Sequence, residues 1–398
     1  MLRALRVIKA GWRERLGKGV IEKVGSGPYL WFHAASVGEV SLSLALMEGL
    51  RPHLPSPFLL TAMTPEGRSL AERSPLVEVA LFAPLDLKWV VRRFIRGIEA
   101  KGLLVAETEL WPNMIMEAKR SSLPLLLFNG RISRDSYRLY RSFRPLFSRV
   151  IRSFDMILAR SEEDKRRFIG LGAQEEKVQV TGDLKFYQAL MGRVPEDEVE
   201  ELRGELPRSR LFVCGSTHRG EEEMLLEIFG ELRRRYPDLL LIIAPRHTER
   251  AKEVERLAQG KGLRVSRRSQ GPGGGWDVLV LDTVGELRKF YAVGDLVFVG
   301  GSIVKGIGGH NVLEVLAQGK GVIFGPHMEN FAEVRRTVLQ EGVGVEVKGK
   351  GELVSACERF LSSPEEGKEM GSRGYALLKE RGERTFSLTL QAIEAVLQ

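Results

Sequence analysis

Residues 30–50 read LWFHAASVGEVSLSLALMEGL. The stretch opens with a continuous apolar run that ends near His33, small residues follow, and an apolar helical pattern begins around Gly38 and Glu39. A buried strand, a short turn and a helix in this order form part of a βαβ unit. This stretch therefore predicts a parallel sheet with helices packed on its faces.

The same pattern recurs along the chain. Short apolar runs predict strands at residues 29–33, 58–62, 79–82, 102–106, 124–128, 155–159 and 178–181, and again at 211–215, 239–244, 278–281, 296–299, 321–324 and 343–347. Most runs are continuous rather than alternating, as expected of parallel strands buried on both faces. Because helical patterns lie between them, the sequence predicts an α/β protein with doubly wound, Rossmann-like sheets.

The length of 398 residues suggests two domains. Residues 187–210 are polar, contain two prolines and predict no strand, so the boundary is expected there. We therefore expect an N-terminal domain over 1–190, a linker over 191–210 and a C-terminal domain over 211–398 that ends in helices. Two such domains would face a central cleft, where the carboxyl ends of open parallel sheets bind ligands.

Composition excludes several classes of protein. With 43% hydrophobic and 28% charged residues, the chain is neither disordered nor fibrous. The longest apolar runs fall short of the roughly 18 residues of a membrane span, and the charged N-terminus lacks the apolar core of a signal peptide. Cys214 and Cys357 form no CxxC pair, which indicates a reducing cytoplasm.

The net charge of +8 is unevenly distributed. Residues 1–190 contain 30 Lys and Arg against 20 Asp and Glu, and the remainder contains 30 against 32. Within the basic half, residues 127–152 carry seven arginines, one acidic residue and interleaved aromatics. This pattern suits phosphate groups, a lipid interface or RNA, and it also suits a solvated helical face.

Three segments of the first half present candidate catalytic groups. Glu39 lies in the first turn of a predicted helix, where it is either a general base or an ordinary helix-start carboxylate. Glu107 and Glu109 follow a buried strand directly, and their spacing allows them to point to different sides. Lys185 follows the last predicted strand of this half and could meet developing negative charge.

The second half contains four strand-to-helix turns, at residues 213–222, 241–250, 282–291 and 296–327. The last turn is the richest, because the glycine pairs 300–301 and 308–309 precede His310, Asn311 and Glu314. Glycine-rich loops before helices can hold phosphate through backbone N–H groups, and a glutamate inside the helix could hold ribose hydroxyls. Four such turns predict a nucleotide-binding domain.

Other motifs are absent from the sequence. It contains no GxxxxGK[ST] and no GxGxxG after the first strand of either half, which argues against an NTPase and a dehydrogenase. It also contains no DxD pair, and its six histidines show no metal-ligand spacing. Group transfer in which Asp carboxylates hold a metal ion on a diphosphate is therefore disfavoured.

The two halves together resemble a GT-B glycosyltransferase. HAASVGEV, TAMTPEG, ETELWPN, GDLKF, STHRGEE, PRHTER, DTVGEL and GGHNVLE occur in this order between residues 30 and 327. They resemble motifs of the 3-deoxy-D-manno-octulosonic acid (Kdo) transferase family of lipopolysaccharide synthesis. The resemblance implies transfer of Kdo from CMP-Kdo to a lipid A precursor (lipid IVA), with inversion and without cofactor or metal.

The resemblance also assigns roles to residues. Glu39 matches the catalytic base of the family, and Glu107 and Lys185 match positions that support the transition state. The implied nucleotide-binding residues are Pro245, Arg246, Val284, Gly285, Glu286, Asn311, Val312, Leu313 and Glu314. Val312 stands where relatives often have proline, which matters little if backbone N–H groups bind the nucleotide.

The implied partners are the donor, the acceptor and an anionic membrane surface, with no nucleic acid. The expected location is the cytoplasmic face of the inner membrane, as a peripheral or monotopic protein without a transmembrane span. Relatives often begin with an apolar anchor, whereas here Leu2, Leu5, Ile8, Trp12 and Leu16 form one face of an amphipathic stretch that could lie in the interface or pack on the domain. The alternatives are a GT-B enzyme that uses another nucleotide sugar, such as a UDP-hexosamine, and a non-catalytic module that binds nucleic acid or membrane.

Overall fold

The computed structural model of the protein describes residues 11–25, 27–271 and 275–398. The chain divides into two compact units. The first ends at Gln188 and also includes Arg381–Gln398, and the second is Ala189–Glu380. Each unit is built around a parallel seven-stranded sheet in these described residues.

The sheet of the first unit has the order β3-β2-β1-β4-β5-β6-β7. Its strands are β1 (Tyr29–Ala34), β2 (Phe58–Ala62), β3 (Val79–Phe82), β4 (Ala100–Ala106), β5 (Leu125–Gly130), β6 (Met156–Ala159) and β7 (Val178–Val180). The chain winds from β1 outward to β3 and then returns to the other side of β1, where His33 pairs with Val105 of β4. The β1–β4 boundary is therefore the topological switch point of this sheet.

Helices cover both faces of this sheet. They span Trp12–Arg15, Val20–Lys23, Val37–Leu50, Pro65–Glu72, Lys88–Gly97, Pro112–Arg120, Arg134–Ser142, Arg144–Arg152, Glu162–Leu171 and Leu184–Met191, with a 3₁₀ turn at Glu175–Lys177. Trp31 and Leu103 belong to one core cluster, whereas Leu30, Phe32 and Leu104 belong to another. Alternate strand residues thus enter different cores, which explains why the strands are continuous apolar runs.

The sheet of the second unit has the order β10-β11-β9-β8-β12-β13-β14. Its strands are β8 (Arg210–Thr217), β9 (Leu239–Pro245), β10 (Val265–Arg267), β11 (Val278–Val280), β12 (Leu296–Val299), β13 (Val322–Phe324) and β14 (Gly344–Glu346). Its helices span Glu196–Glu205, Glu221–Arg235, Ala251–Gly260, Leu287–Val293, Leu313–Leu316, Ala332–Gln340 and Lys350–Ser362, with 3₁₀ turns at Thr248–Arg250, Arg268–Gln270 and Glu329–Phe331. The last helix, Pro364–Leu397, begins in this unit and belongs to the first unit from Arg381 onward. β8 lies between β9 and β12, so the switch point here is the β8–β12 boundary.

All the predicted strands are present, and β10 is an additional one. This strand, VSR, lies at the edge of the second sheet, where Val265 pairs with Val278 of β11. Its three residues are only partly buried. A half-exposed edge strand needs no apolar run, so hydropathy did not reveal it.

The domain limits of the structure differ from the expected ones at two places. The stretch expected as a linker contains the helix Glu196–Glu205, which belongs to the second unit. Arg381–Gln398, expected in the C-terminal domain, belongs to the first unit. There Phe386 stacks on Tyr187 at 4.5 Å between ring centroids, and Ile393 is buried in the core cluster that contains Phe32. Burial of these side chains holds the segment in the first unit.

The amphipathic N-terminal stretch is described only in part. Leu2, Leu5 and Ile8 lie outside the described residues, Trp12 is exposed, and Leu16 packs against the core of the first unit. No helix within the described ranges is both long and apolar enough to cross a bilayer.

Candidate functional site

Glu39 lies at the switch point of the first sheet. β1 ends at Ala34, and Ser36 caps the helix Val37–Leu50. The Ser36 Oγ accepts a hydrogen bond from the Glu39 N–H at 3.3 Å, while the Glu39 carboxylate accepts from the N–H of Ala35 at 2.6 Å and of Ser36 at 3.4 Å. This reciprocal arrangement is a capping box. Glu39 therefore takes part in the cap at the start of this helix, with Ser36 as the N-cap residue.

Glu107 and Glu109 follow β4, the strand beside β1. Glu107 has a φ of 48°, which is uncommon for a residue other than glycine. Its carboxylate lies 3.5 Å from Arg131 Nε and accepts a 3.5 Å hydrogen bond from Asn129 Nδ2. Glu109 instead accepts a 2.8 Å hydrogen bond from the indole Nε1 of Trp111. The two carboxylates therefore have different partners.

The three carboxylates interact electrostatically. Burial raises the pKa of Glu39, although hydrogen bonds from Ala35 and Ser36 oppose the change, and the charge of Glu107 adds to it. Burial raises the pKa of Glu109 to about 7, with a further contribution from the charge of Glu39. Since neighbouring strands lie about 4.8 Å apart, the turns after β1 and β4 bring like charges together. A helix dipole favours the charged form of a carboxylate in the first turn, and burial outweighs that effect at Glu39.

Asn129 connects this cluster to Lys185. Its side-chain oxygen accepts a 2.9 Å hydrogen bond from Leu184 N–H, at the start of the helix that carries Lys185. The Lys185 N–H donates to Asp183 Oδ1 at 3.0 Å, and Asp183 also pairs with Arg160 at 3.2 Å. The structure therefore places the backbone of Lys185 next to the turn of Glu107. Sequence reasoning missed Asn129, whose signal is an Asn-Gly pair directly after the predicted strand 124–128.

A buried carboxylate organises the loop after β12 in the second unit. Glu221 is fully buried and accepts hydrogen bonds from the N–H groups of Gly301 at 2.7 Å and of Ser302 and Ile303 at 3.1 Å. It also accepts from the His218 N–H at 3.0 Å. These loop N–H groups are therefore bound by the protein itself. The first glycine pair builds the loop, whereas the sequence suggested that glycine N–H groups would hold phosphate.

The implied nucleotide-binding residues follow β9, β11 and β12, so they lie at one edge of the second sheet. Pro245 is buried at the end of β9, and the exposed Arg246 donates its N–H to Thr217 O at 2.9 Å. Val284, in the turn 284–286 at this edge, is 87% exposed. The Glu286 carboxylate forms a salt bridge with Arg268, with 2.9 Å between Oε1 and Nη2.

Residues 311–314 differ in which of their groups, backbone or side chain, can contact a ligand. The Asn311 side-chain oxygen accepts from the Leu313 N–H at 3.2 Å, and the side chains of Val312 and Leu313 are buried. Glu314 lies 3.7 Å from Arg288. Val312 and Leu313 can therefore meet a ligand through their backbone, while Glu314 can do so through its carboxylate.

Two histidines that the sequence analysis did not assign meet at this edge. The Nε2 atoms of His218 and His310 lie 2.8 Å apart, and the ring of His247 packs on His218 at 6.0 Å between centroids. His218 and His310 are 92 positions apart in sequence. Their only sequence signal is their position in the STHRGEE and GGHN motifs.

Comparison with solved structures defines the class of the fold. A UDP-GlcNAc 2-epimerase from Neisseria meningitidis matches 92% of this chain with a TM-score of 0.61 and 14% identity, over 100% of its own length. A glycosyltransferase from Rickettsia africae matches 94% of this chain with a TM-score of 0.58 and 13% identity, over 97% of its own length. The GT-B architecture predicted from the sequence is therefore confirmed at the level of the fold.

Sequence comparisons define the family. The family model described as 3-deoxy-D-manno-octulosonic-acid transferase matches residues 10–188. The Kdo transferase of Chlamydophila psittaci is 32% identical over 92% of this chain and 85% of its own, and that of Haemophilus influenzae is 34% identical over 88% and 83%. A bifunctional glycosyltransferase/methyltransferase of Fusobacterium nucleatum is 33% identical over 86% of this chain, which spans 54% of its length. The chain is a glycosyltransferase and belongs to the Kdo transferase family.

Proposed function

We propose that this protein transfers Kdo from CMP-Kdo to the lipid A precursor lipid IVA, with Glu39 as the general base. The observation that carries the proposal is the carboxylate cluster at the switch point of the first sheet, where ligands of open parallel sheets bind. Burial and like charge raise the pKa of Glu39 there, which increases its basicity. The chain's membership of the Kdo transferase family supports the choice of sugar.

The proposed reaction is a single displacement. Glu39 accepts the proton of the acceptor hydroxyl as the hydroxyl oxygen forms a bond to the anomeric carbon of Kdo. The bond from that carbon to the phosphate oxygen breaks, and CMP leaves with the electron pair. Attack opposite the leaving group inverts the configuration. Lys185, tied through Asn129 to the turn of Glu107, is proposed to stabilise the negative charge of the transition state.

The nucleotide is proposed to bind at the switch point of the second sheet. The exposed Arg246 would face its phosphate, the turn 284–286 and the backbone of 311–313 its base and sugar, and Glu314 its ribose hydroxyls. All of these follow the carboxyl ends of β9, β11 and β12. Ligands of doubly wound sheets bind at this edge.

The acceptor and the membrane are proposed to meet helices Arg134–Ser142 and Arg144–Arg152. Three large apolar side chains there, Leu139, Phe143 and Leu146, are 57%, 56% and 41% exposed. A pocket of about 500 Å³ beside them is lined by Arg134, Tyr137, Arg138, Arg141, Ser142 and Arg167. Apolar side chains among arginines match acyl chains below anionic head groups. We propose that this surface binds the cytoplasmic face of the inner membrane and the phosphates of the acceptor.

The test of the reaction is a mass-spectrometric assay with CMP-Kdo and a tetra-acylated lipid A precursor, in the presence of EDTA. E39Q is the informative variant, because glutamine keeps the capping oxygen and loses the base. E48Q is the matched control, since Glu48 lies exposed on the same helix. We expect wild type and E48Q to add Kdo, and E39Q to lose at least about 100-fold in rate.

Other outcomes of this assay would contradict parts of the proposal. Equal product from E39Q and wild type would exclude Glu39 as the base. Product from a UDP-hexosamine and none from CMP-Kdo would identify a GT-B enzyme with another donor. A protein that uses no nucleotide sugar and still binds vesicles or RNA would be a non-catalytic module.

The membrane surface is tested separately by sedimentation with vesicles of phosphatidylglycerol or phosphatidylcholine. We expect binding to the anionic vesicles, strongly reduced in the double variants L139Q/F143Q and R138Q/R141Q. R336Q, at an exposed arginine of the second unit, controls for the loss of charge. Equal binding by all variants would remove this surface from the proposal.

A further inference from the structure

His218 and His310 form a hydrogen-bonded pair across the switch point of the second sheet. His218 follows β8 and His310 lies in the loop after β12, the neighbouring strand. Their Nε2 atoms are 2.8 Å apart, and the rings are parallel within 5°. At this distance one Nε2 carries a hydrogen and donates it to the lone pair of the other. The two rings therefore share one proton between them.

The fold holds both rings in this position. Glu221 anchors the His218 backbone and the loop that begins at Gly301. Gly301 has a φ of 66°, and a side-chain Cβ there would lie 2.7 Å from Cδ2 of His310. Only glycine leaves room for the His310 ring. The backbone of this loop therefore fixes the relative position of the two histidine rings.

The charges around the pair are mostly positive. Arg246, which directly follows β9, and His247 face both rings, and Arg250 faces His218 while it pairs with Glu222 at 2.8 Å. Glu221 is the negative group beside His218. Burial is the largest cause that lowers the pKa of His218; His247, Arg250 and Arg246 lower it further, and Glu221 opposes them. Burial first, and then His218, Arg246 and His247, lower the pKa of His310 to about 4. Without a ligand, the pair is neutral at pH 7.

The pair has room for one further proton. A proton added to an outward Nδ1 gives one positive charge and keeps the Nε2–H···Nε2 hydrogen bond. A second added proton would place two N–H groups face to face and break that bond. The pair therefore carries either no charge or a single positive charge, and a nearby anion favours the charged form.

We infer that the His218–His310 pair binds the phosphate of the nucleotide and takes up one proton when the phosphate binds. This inference rests on the proposed nucleotide site in the second unit. Phosphate supplies an opposite charge to Arg246, which is exposed and stands beside both rings, and to the proton that the pair takes up. The charge of the pair then stabilises the dianion that CMP becomes when it leaves. Affinity for CMP rises as the pH falls, by at most tenfold per pH unit for one proton.

The test is calorimetry of CMP binding to the full chain at pH 7.5, in several non-phosphate buffers that differ in ionisation enthalpy. The dependence of the observed heat on that enthalpy counts the protons taken up. H310Q and H218Q keep a neutral hydrogen-bonding group at the position of Nε2 and cannot be charged. H53N is the control, at an exposed histidine of the first unit. Cytidine, which lacks phosphate, is the control ligand.

We expect uptake of about one proton with CMP for wild type and H53N, and none with cytidine. In H310Q and H218Q the uptake should disappear and the affinity should fall about tenfold. CMP binding without proton uptake, or with the same uptake in H310Q, would overturn the inference. If UDP binds in place of CMP with the same uptake, lost in H310Q, the pair keeps its role and the proposed donor is wrong. Failure of wild type to bind any nucleotide would contradict both.

Discussion

The side chain of Asn129 donates a hydrogen bond of 3.5 Å to the carboxylate of Glu107. Asn129 lies near the end of β5 and Glu107 follows the adjacent β4, and both have left-handed backbones, with φ values of 53° and 48°. The other end of the Asn129 side chain accepts from Leu184 N–H, so one buried amide links the carboxylate cluster to the helix of Lys185. This amide uses a donor and an acceptor at once, a combination that a carboxylate lacks at neutral pH.

Replacement of Asn129 by aspartate is expected to destabilise the first unit. The introduced carboxylate could still accept from Leu184 N–H, but it would place a second buried negative charge beside Glu107. We expect N129D to lower the free energy of unfolding by about 2–3 kcal/mol, measured by urea denaturation. A loss smaller than about 0.5 kcal/mol would show that the link to Glu107 contributes little.

The stability of the protein is expected to depend on the ionisation of Glu109. The pKa of Glu109 is about 7 in the folded protein, above the ordinary value of 4.5. Ionisation therefore costs stability progressively as the pH rises from 4.5 to 7, and the full cost is present above pH 7. E109Q removes this cost, so it should stabilise the protein by about 2 kcal/mol at pH 8 and leave it unchanged near pH 4.

Urea denaturation of wild type and E109Q at both pH values checks this expectation. E48Q is the matched control, because Glu48 is exposed and lies outside the carboxylate cluster, so its replacement should bring no such gain. A stabilisation by E109Q that is the same at both pH values would contradict the prediction.

The rate of transfer is expected to fall in acid, because protonated Glu39 cannot act as a base. Since burial and Glu107 raise the pKa of Glu39, the fall should begin at a higher pH than for an ordinary glutamate. The repulsion between Glu39 and Glu109 acts on both groups. In E109Q the acid limb of kcat/KM should therefore move to lower pH. A profile of kcat/KM from pH 5 to 9 measures this, and an unmoved acid limb would mean that Glu109 does not influence the base.

Glu221 is expected to support nucleotide binding through the loop that it anchors. E221Q retains one carbonyl oxygen where the carboxylate serves four N–H donors. We expect a loss of about 2–4 kcal/mol in stability, measured by urea denaturation, and weaker binding of CMP, measured by calorimetry. The neighbouring E223Q alters only a helix cap and should cost about 1 kcal/mol or less. Equal effects of the two variants would contradict the role given to Glu221.

Much of the fold is determined by the sequence alone. Strands buried on both faces must be continuous apolar runs, so runs such as 58–62 and 296–299 were predictable with their limits. The half-exposed strand Val265–Arg267 carries no such signal. The start of the helix near Glu39 and the turn after β4 were also predicted, because they are local patterns of a few residues.

Only the tertiary structure decided which of these local features meet. The helix Pro364–Leu397 buries Met370 in a core of the second unit and Ile393 in a core of the first. Its hydrophobic periodicity does not predict which of these cores Phe386 packs against. The order of strands places β1 beside β4 and β8 beside β12, and it thereby brings Glu39 to Glu109 and His218 to His310. Local propensity acts over a few residues, whereas these pairs lie 70 and 92 positions apart, so their contact depends on how the whole sheet is wound.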